Sequence, residues 1–124
     1  MILFNNEIVG ILKKDIVGEY LDSVLIATYG FGFQFGDVKI HCNEHIFAKI
    51  NNSLYEWDDS PNSAPWGLLV RQQLSNVILS SPSLLRLTFQ SKDYVEIETV
   101  EGQYESVIIN LPSKGGDEII MEIF

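Results

Sequence analysis

The chain has 124 residues, 46% of them apolar and 20% charged, which fits one globular domain and excludes a disordered or fibrous protein. Seventeen acids against eight bases give a formal charge of −9, and this balance argues against a surface that binds nucleic-acid phosphates or anionic lipids. No apolar stretch is long enough to span a bilayer, and no basic leader precedes the first apolar segment. The single cysteine excludes an internal disulfide, which suits a reducing compartment. We therefore expect a cytoplasmic protein.

The predicted elements begin with a short helix over Asn5–Lys14, where apolar residues recur at nearly helical spacing. Strands are predicted next at Leu21–Ala27, at Phe31–Phe35 with its three phenylalanines spaced by two, at Val38–His41 and at Ile46–Ile50. Apolar and polar residues alternate in these segments, and turn-forming residues separate them. This pattern is typical of an antiparallel meander.

The second half of the chain repeats this order after a polar connector at about residues 51–63. A second helix is predicted from Ser63 to Gln72, because a capping serine is followed by a proline in the first turn. The segment Leu74–Leu79 then matches Leu21–Ile26. Later strands follow in the same order, at Leu85–Phe89, Tyr94–Glu98 and Tyr104–Leu111.

A last strand is predicted at about residues 117–123, with Ile119, Met121 and Ile123 on one side and Glu122 facing out. The separation of matching residues grows from 53 at the first strand to 57 at the third, which places insertions in turns. We therefore predict a single domain over residues 1–124 of the α+β class, mostly β. Two pseudo-repeated antiparallel β-meander units, about 5–53 and 64–111, form an open sheet or partial barrel with two short helices.

One stretch, His41 to His45, contains the residue types that bind metals, because it also includes Cys42 and Glu44. Structural zinc sites need four ligands, and the chain has no further cysteine or histidine. A reactive thiolate needs an oriented base, which sequence neighbours rarely provide. We interpret the stretch as a turn with a buried thiol and predict no metal, cofactor or catalytic residue. Gly30-Phe31-Gly32 lacks the basic residue of a phosphate loop and is interpreted as part of a hairpin.

Acidic and aromatic residues are interleaved in two separate segments, one in the connector and one in the last third of the chain. Such a surface suits a basic protein partner, since carboxylates steer and bind cations and aromatic rings supply contact area. The predicted contact residues are Tyr55, Glu56, Trp57, Asp58, Asp59, Tyr94, Glu96, Glu98 and Glu101. Two alternatives remain: the glutamates form an ordinary solvated strand face, and Trp57 packs in the core.

The repeated unit resembles small bacterial immunity proteins of contact-dependent growth inhibition and other polymorphic toxin systems. The resemblance lies in Leu21-Asp22-Ser23-Val24-Leu25-Ile26 and its later match, in Leu85-x-Leu87-x-Phe89 with the turn after it, and in Tyr104-Glu105-Ser106 before Val107-Ile108-Ile109. It covers roughly Ile16–Leu111. The resemblance implies that the chain binds a cognate toxin's C-terminal domain, such as a basic nuclease, and occludes its active site. It implies no catalytic residues.

The resemblance also singles out Glu105, which would share the interior side of its strand with Val107 if Tyr104 and Ser106 face the other way. A buried carboxylate must be paired. Its candidate partners are Arg86, which we favour, and Arg71, the two arginines of the chain.

Two other functions are compatible with the sequence. The chain could be a small enzyme with a carboxylate or His/Cys site, which requires a pocket where polar groups converge. It could also be a structural domain that self-associates through an exposed strand edge.

Overall fold

The computed structural model describes residues 3–27, 30–57, 64–100, 106–112 and 119–124, with only the backbone described at 119 and 120. In these ranges the chain forms one α-helix, one turn of 3-10 helix and ten strands, arranged as two antiparallel five-stranded sheets. The predicted class, α+β and mostly β, is confirmed. The two sheets are separate layers and do not close into a barrel.

The elements follow one another in the order α1 (Asn6–Ile16), β1 (Ser23–Ala27), β2 (Gly30–Phe35), β3 (Val38–Cys42), β4 (His45–Ile50), β5 (Ser53–Trp57), the 3-10 turn (Trp66–Leu69), β6 (Leu74–Ser81), β7 (Leu84–Phe89), β8 (Tyr94–Glu98), β9 (Val107–Pro112) and β10 (Ile119–Ile123).

Each sheet combines a three-stranded meander from one half of the chain with a hairpin from the other half. Sheet 1 has the strand order β1-β2-β3-β9-β10, and sheet 2 has the order β6-β7-β8-β4-β5. The chain therefore leaves sheet 1 after β3 and returns to it after β8. The two orders become identical when the first five strands and the last five are exchanged. A duplicated unit would produce this arrangement, although the duplication itself stays a prediction.

The inner faces of both sheets contribute to one hydrophobic cluster. Strands β3, β4, β7 and β8 alternate buried and more exposed residues, as a sheet with one covered face requires. The ring of Phe31 contacts the rings of Trp57 and Trp66, with centroids 5.5 and 4.8 Å apart. Phe35 and Phe89 stack across the two sheets at 6.4 Å. Buried aromatic area of this kind contributes most of the stability of such a core.

Helix α1 confirms the first predicted helix and extends it by two residues. The side chain of Asn5 accepts a hydrogen bond from the backbone N–H of Ile8 at 2.9 Å, which satisfies one of the unpaired amides of the first turn. Ile8, Leu12 and Ile16, spaced by four, are buried and form the face that the helix turns to the core.

The second predicted helix, Ser63–Gln72, is much shorter than expected: within its described residues, 64–72, only Trp66–Leu69 forms a single 3-10 turn, and Ser63 lies outside the described residues. No side chain caps its N-terminus, and Arg71 adopts a φ of 74°, a left-handed conformation that a helix cannot continue. The backbone N–H of Arg71 instead donates to the carbonyl oxygen of Leu21 at 2.8 Å. This bond ties the segment to the chain that leads into sheet 1.

The predicted connector at residues 51–63 contains a strand that the sequence analysis missed. Asn51 and Asn52 have φ values of 51° and 67°, so they form the two-residue turn of a tight hairpin rather than a break in the structure. Strand β5 follows this turn and pairs with β4, from Ser53 opposite Ile50 onward. Residues 58–63 lie outside the described residues.

Strand β10 confirms the last predicted strand, but its predicted orientation is wrong. The side chains of Met121 and Ile123 are exposed, whereas Glu122 is half-buried and turned toward α1. Glu122 stands opposite the buried Ile109 on β9, so it shares the inner side of sheet 1. The alternation of residues along β10 was predicted correctly, but alternation alone does not determine which side of a strand faces the core.

Candidate functional site

The outer side of sheet 2 brings the two predicted acidic segments together. His45 stands opposite Glu98, and Phe47 stands opposite both Glu56 and Glu96, so three carboxylates flank strand β4. We call this surface the charged face. It consists of His45, Phe47, Lys49, Glu56, Arg86, Tyr94, Glu96 and Glu98.

His45 lies between two carboxylates that come from different strands. Its Nδ1 atom lies 3.1 Å from an oxygen of Glu98, and its Nε2 atom forms an ion pair with Glu56. Partial burial of the ring works against its charged form. The hydrogen bonds and negative charges of Glu56 and Glu98 outweigh that effect and raise the pKa of His45 above its usual 6.5. The histidine therefore holds the two glutamates in fixed positions.

Arg86 holds the third carboxylate. Its Nε atom lies 3.2 Å from an oxygen of Glu96, and its guanidinium carbon lies 4.3 Å from the centre of the Tyr94 ring. The hydroxyl of Ser80 donates a further hydrogen bond to Glu96. The predicted partner of Arg86 was Glu105, which lies outside the described residues. Among the described residues the ion-pair partner of Arg86 is Glu96, and the pairing with Glu105 stays a prediction.

The predicted contact residues fall into three groups: those on the charged face, those on the inner side of β5 and those outside the described residues. On the charged face lie Glu56, Tyr94, Glu96 and Glu98. The predicted surface position of Trp57 is wrong, because its side chain is 1% exposed and contacts Phe31, as the alternative of core packing required. Tyr55 shares the inner side of β5 and packs partly buried against the core. Outside the described residues lie Asp58, Asp59 and Glu101.

The side chains of the His41–His45 stretch point in three directions. His41 lies on the outer side of sheet 1, Cys42 lies in the core and His45 lies on the charged face. Burial raises the pKa of the Cys42 thiol to about 11, so it is not a thiolate at neutral pH. Among the residues that the structure describes, no group of three metal-ligating side chains comes together.

A hollow of about 410 Å³ opens on the outer side of sheet 1, where the sequence analysis predicted no site. Gly32 lies in its lining, opposite Leu25 on β1 and His41 on β3, and contributes no side chain. Lys39 and Asn110 stand opposite each other on the neighbouring row. The sequence feature that indicates this hollow is the pair of glycines, Gly30 and Gly32, at outer positions of β2, which we interpreted only as part of a hairpin.

A second, smaller hollow of about 270 Å³ lies beside the C-terminal end of α1. Asp15, Glu19 and Asp37 contribute its carboxylates, and its remaining lining residues are uncharged. The negative end of the helix dipole adds to their potential. The acids of the chain are therefore not confined to the charged face.

Comparison of the chain with protein-family models, with curated proteins and with solved structures finds no match in any of the three. In the part of the chain that the structure describes, no helix is both long enough and apolar enough to cross a membrane.

Proposed function

We propose that the chain is a binding module of the immunity-protein type, which neutralises the C-terminal domain of a cognate toxin by covering its active site. The charged face is the observation that supports this proposal most directly. Glu56 and Glu98 are 42 positions apart in the chain, yet they meet at His45 on one surface. A basic nuclease presents cations that are spaced for phosphates, and carboxylates replace those phosphates in an inhibitor.

The ionic groups of this surface balance when His45 is charged, because three glutamates then face three cations, Arg86, Lys49 and His45. The excess of acidic residues comes from the segments next to it in the sequence. In the sequence β5 is followed directly by two aspartates, and Glu101 follows shortly after β8. The half-buried rings of Phe47 and Tyr94 add aromatic contact area between the charges. Because histidine and arginine already hold the carboxylates, a partner spends little free energy on ordering them.

The same geometry favours a binding module over an enzyme. A histidine that acts as a general base needs a ring nitrogen that can reach the substrate. Both ring nitrogens of His45 are engaged by carboxylates, and the ring stands on a sheet face with one quarter of its side chain exposed. The arrangement therefore suits electrostatic recognition better than proton transfer.

We also infer that the two halves of the chain are a duplicated unit. Tyr20 and Gln73 form a bridge with an offset of 53 residues, and the stacked rings of Phe35 and Phe89 have an offset of 54. Residues with matching positions in the two halves thus contact each other, as they do at a two-fold axis. In addition, α1 packs on β6, while the 3-10 turn packs on β1. This inference explains why both sheets have the same build.

The proposal is tested by mixing the full chain with the C-terminal domain of the polypeptide that is encoded immediately upstream. We expect a stable complex and inhibition of that domain's activity, with association slowing as salt rises. The double substitution Glu56→Gln/Glu98→Gln should weaken binding about tenfold or more, because it removes two charges from the contact surface.

The matched control is Asp15→Asn/Asp37→Asn, which removes the same number of charges from the hollow beside α1. It should change affinity by no more than about twofold, since those residues lie off the charged face. Equal losses in the two variants would mean that only net charge matters. Self-association without binding of the domain, or no complex at micromolar concentration in low salt, would refute the proposal.

A further inference from the structure

The hollow on the outer side of sheet 1 exists because β2 brings no side chain to its centre. Leu25, Gly32, His41 and Ile108 form one row across four strands. The ring of His41 covers Gly30, where an added Cβ atom would collide with it, and its Nε2 atom hydrogen-bonds with the side-chain oxygen of a neighbouring asparagine at 2.8 Å. A Cβ atom at Gly32 would make only ordinary van der Waals contacts, so a side chain fits there without a clash.

A polar group without a partner lies in this hollow. The side-chain Oδ1 atom of Asn110 is buried and accepts no hydrogen bond from any described residue. A buried acceptor normally has a donor, because leaving it unpaired forfeits its hydration without compensation. A ligand with an N–H or O–H group would supply the missing donor when the amide of Asn110 turns its oxygen atom into the hollow.

A positive charge stands beside this acceptor. Lys39 is directly opposite Asn110 in the strand pairing, its side chain is exposed, and it makes no ion pair with a described residue. Leu25, Ile108 and Met121 give the hollow apolar walls, with Leu25 and Met121 more than half exposed, while Ser23, Gln34 and His41 add polar side chains. A cation, an unpaired acceptor and apolar walls thus converge on one hollow, which is the composition of a small-molecule site.

We propose that this hollow binds a small carboxylic acid with an apolar body, such as an N-acylated branched or aromatic amino acid. The apolar body occupies the space above Gly32 between Leu25 and Met121. The amide N–H donates to Oδ1 of Asn110, and the carboxylate pairs with the ammonium group of Lys39. The volume of about 410 Å³ is within the range of small-ligand pockets. This site is independent of the charged face and of the proposed toxin binding.

The test is a titration of the isotopically labelled full chain, followed by amide NMR, with N-acetyl-L-leucine as the probe. Two analogues isolate its polar groups: N-acetyl-L-leucine amide lacks the charge, and N-acetyl-N-methyl-L-leucine lacks the donor. We expect saturable shifts at Leu25, Gly32, His41 and Ile108 with a dissociation constant in the low millimolar range. Each analogue should bind at least about fivefold more weakly, the effect of losing one hydrogen bond or ion pair.

Two pairs of variants separate the site from the fold. Gly32→Val should abolish the saturable shifts by filling the hollow, while the same change at Gly67, where an added Cβ atom meets nothing, should leave them unchanged. Lys39→Gln should remove the preference for the carboxylate over the amide, while Lys49→Gln on the charged face should retain it. Amide spectra of each variant establish that it is folded.

Three outcomes would overturn the inference. They are the absence of saturable shifts up to about 20 mM probe, equal affinity for all three probes, and persistence of binding in folded Gly32→Val. Because no toxin domain enters this experiment, its failure would leave the proposed function unaffected, and success would not depend on that function.

Discussion

The outer faces of the two sheets have the same strand arrangement but opposite surfaces. On sheet 2 the second strand of the meander contributes Arg86, which pairs with Glu96 and fills the surface with ionic contacts. On sheet 1 the second strand contributes Gly32, and a hollow remains. The residue at this one position of the second strand, arginine or glycine, therefore decides whether the outer face of the sheet is closed by charged side chains or has a hollow.

The comparison also shows where polar groups are satisfied. On the charged face each glutamate has a basic or hydroxyl partner. In the hollow, Asn110 has a buried oxygen atom without one, and Lys39 makes no ion pair among the described residues. Satisfied groups add to the stability of the charged face, whereas the unpaired buried acceptor of Asn110 is retained at a cost in stability.

The largest expected effect on stability comes from removing one cation from each of the two faces in turn. Arg86→Ala should lower the free energy of unfolding by about 2 kcal/mol, because it leaves Glu96, a mostly buried carboxylate, without its ion pair. Lys39→Ala should cost less than about 0.5 kcal/mol, since that lysine is exposed. Urea unfolding of the two variants measures the contrast. Similar losses of stability in the two variants would mean that the ion pair of Arg86 adds no more to the stability of the fold than the unpaired Lys39 does.

The next effect should have the opposite sign. Asn110→Val removes the buried acceptor and places a β-branched residue in a strand, so we expect unfolding to require about 1 kcal/mol more free energy. The urea midpoint should rise relative to the unsubstituted chain. A fall of the midpoint would show that Oδ1 of Asn110 is satisfied in solution and that the hollow has no unpaired group.

The two outer glycines of β2 should respond differently to the same change. Gly32→Val should be neutral or should stabilise the fold by about 0.5 kcal/mol, because its Cβ atom has room and valine favours a strand. Gly30→Val should destabilise it by about 1 kcal/mol, because the new side chain displaces the ring of His41. Thermal melting distinguishes the two. Equal losses at both positions would argue against an open space above Gly32.

The smallest effect concerns pH. The pKa of His45 is higher in the folded chain than its usual 6.5, so its charged form is bound more favourably in the folded state. This contribution to stability is complete below the unfolded pKa and is lost as pH rises through the folded pKa. Stability measured from pH 5.5 upward should therefore decline through that interval, and His45→Gln should remove this part of the decline. A histidine variant with an unchanged pH profile would contradict the ion pairs of His45.

Local patterns predicted the elements that local residues determine. The spacing of Ile8, Leu12 and Ile16 gave α1, and the alternation of apolar residues gave most strands. Strand β5 was missed because the turn at Asn51 and Asn52 has the same composition as a loop. The division of the strands between two sheets was not predictable from periodicity, since strand pairing across half the chain leaves no local signal.

The candidate site was predicted in part for the same reason. Alternation correctly placed Glu96 and Glu98 on the outer side of β8. It gave no indication that β4 lies between β5 and β8, so the role of His45 was missed. The direction of Trp57 depends on which side of β5 meets the core, and the hollow depends on strands from both ends of the chain. Both follow from tertiary structure alone.

The most direct test is to mix the labelled chain with the proposed toxin domain and to map the contact surface by transfer of saturation from that domain to backbone amides. The account predicts that attenuation is concentrated on β4, β5 and β8, around His45, Phe47 and Glu96. Attenuation concentrated on β2, β3 and β9 instead, or spread evenly over both sheets, would contradict the claim that the charged face is the surface that binds.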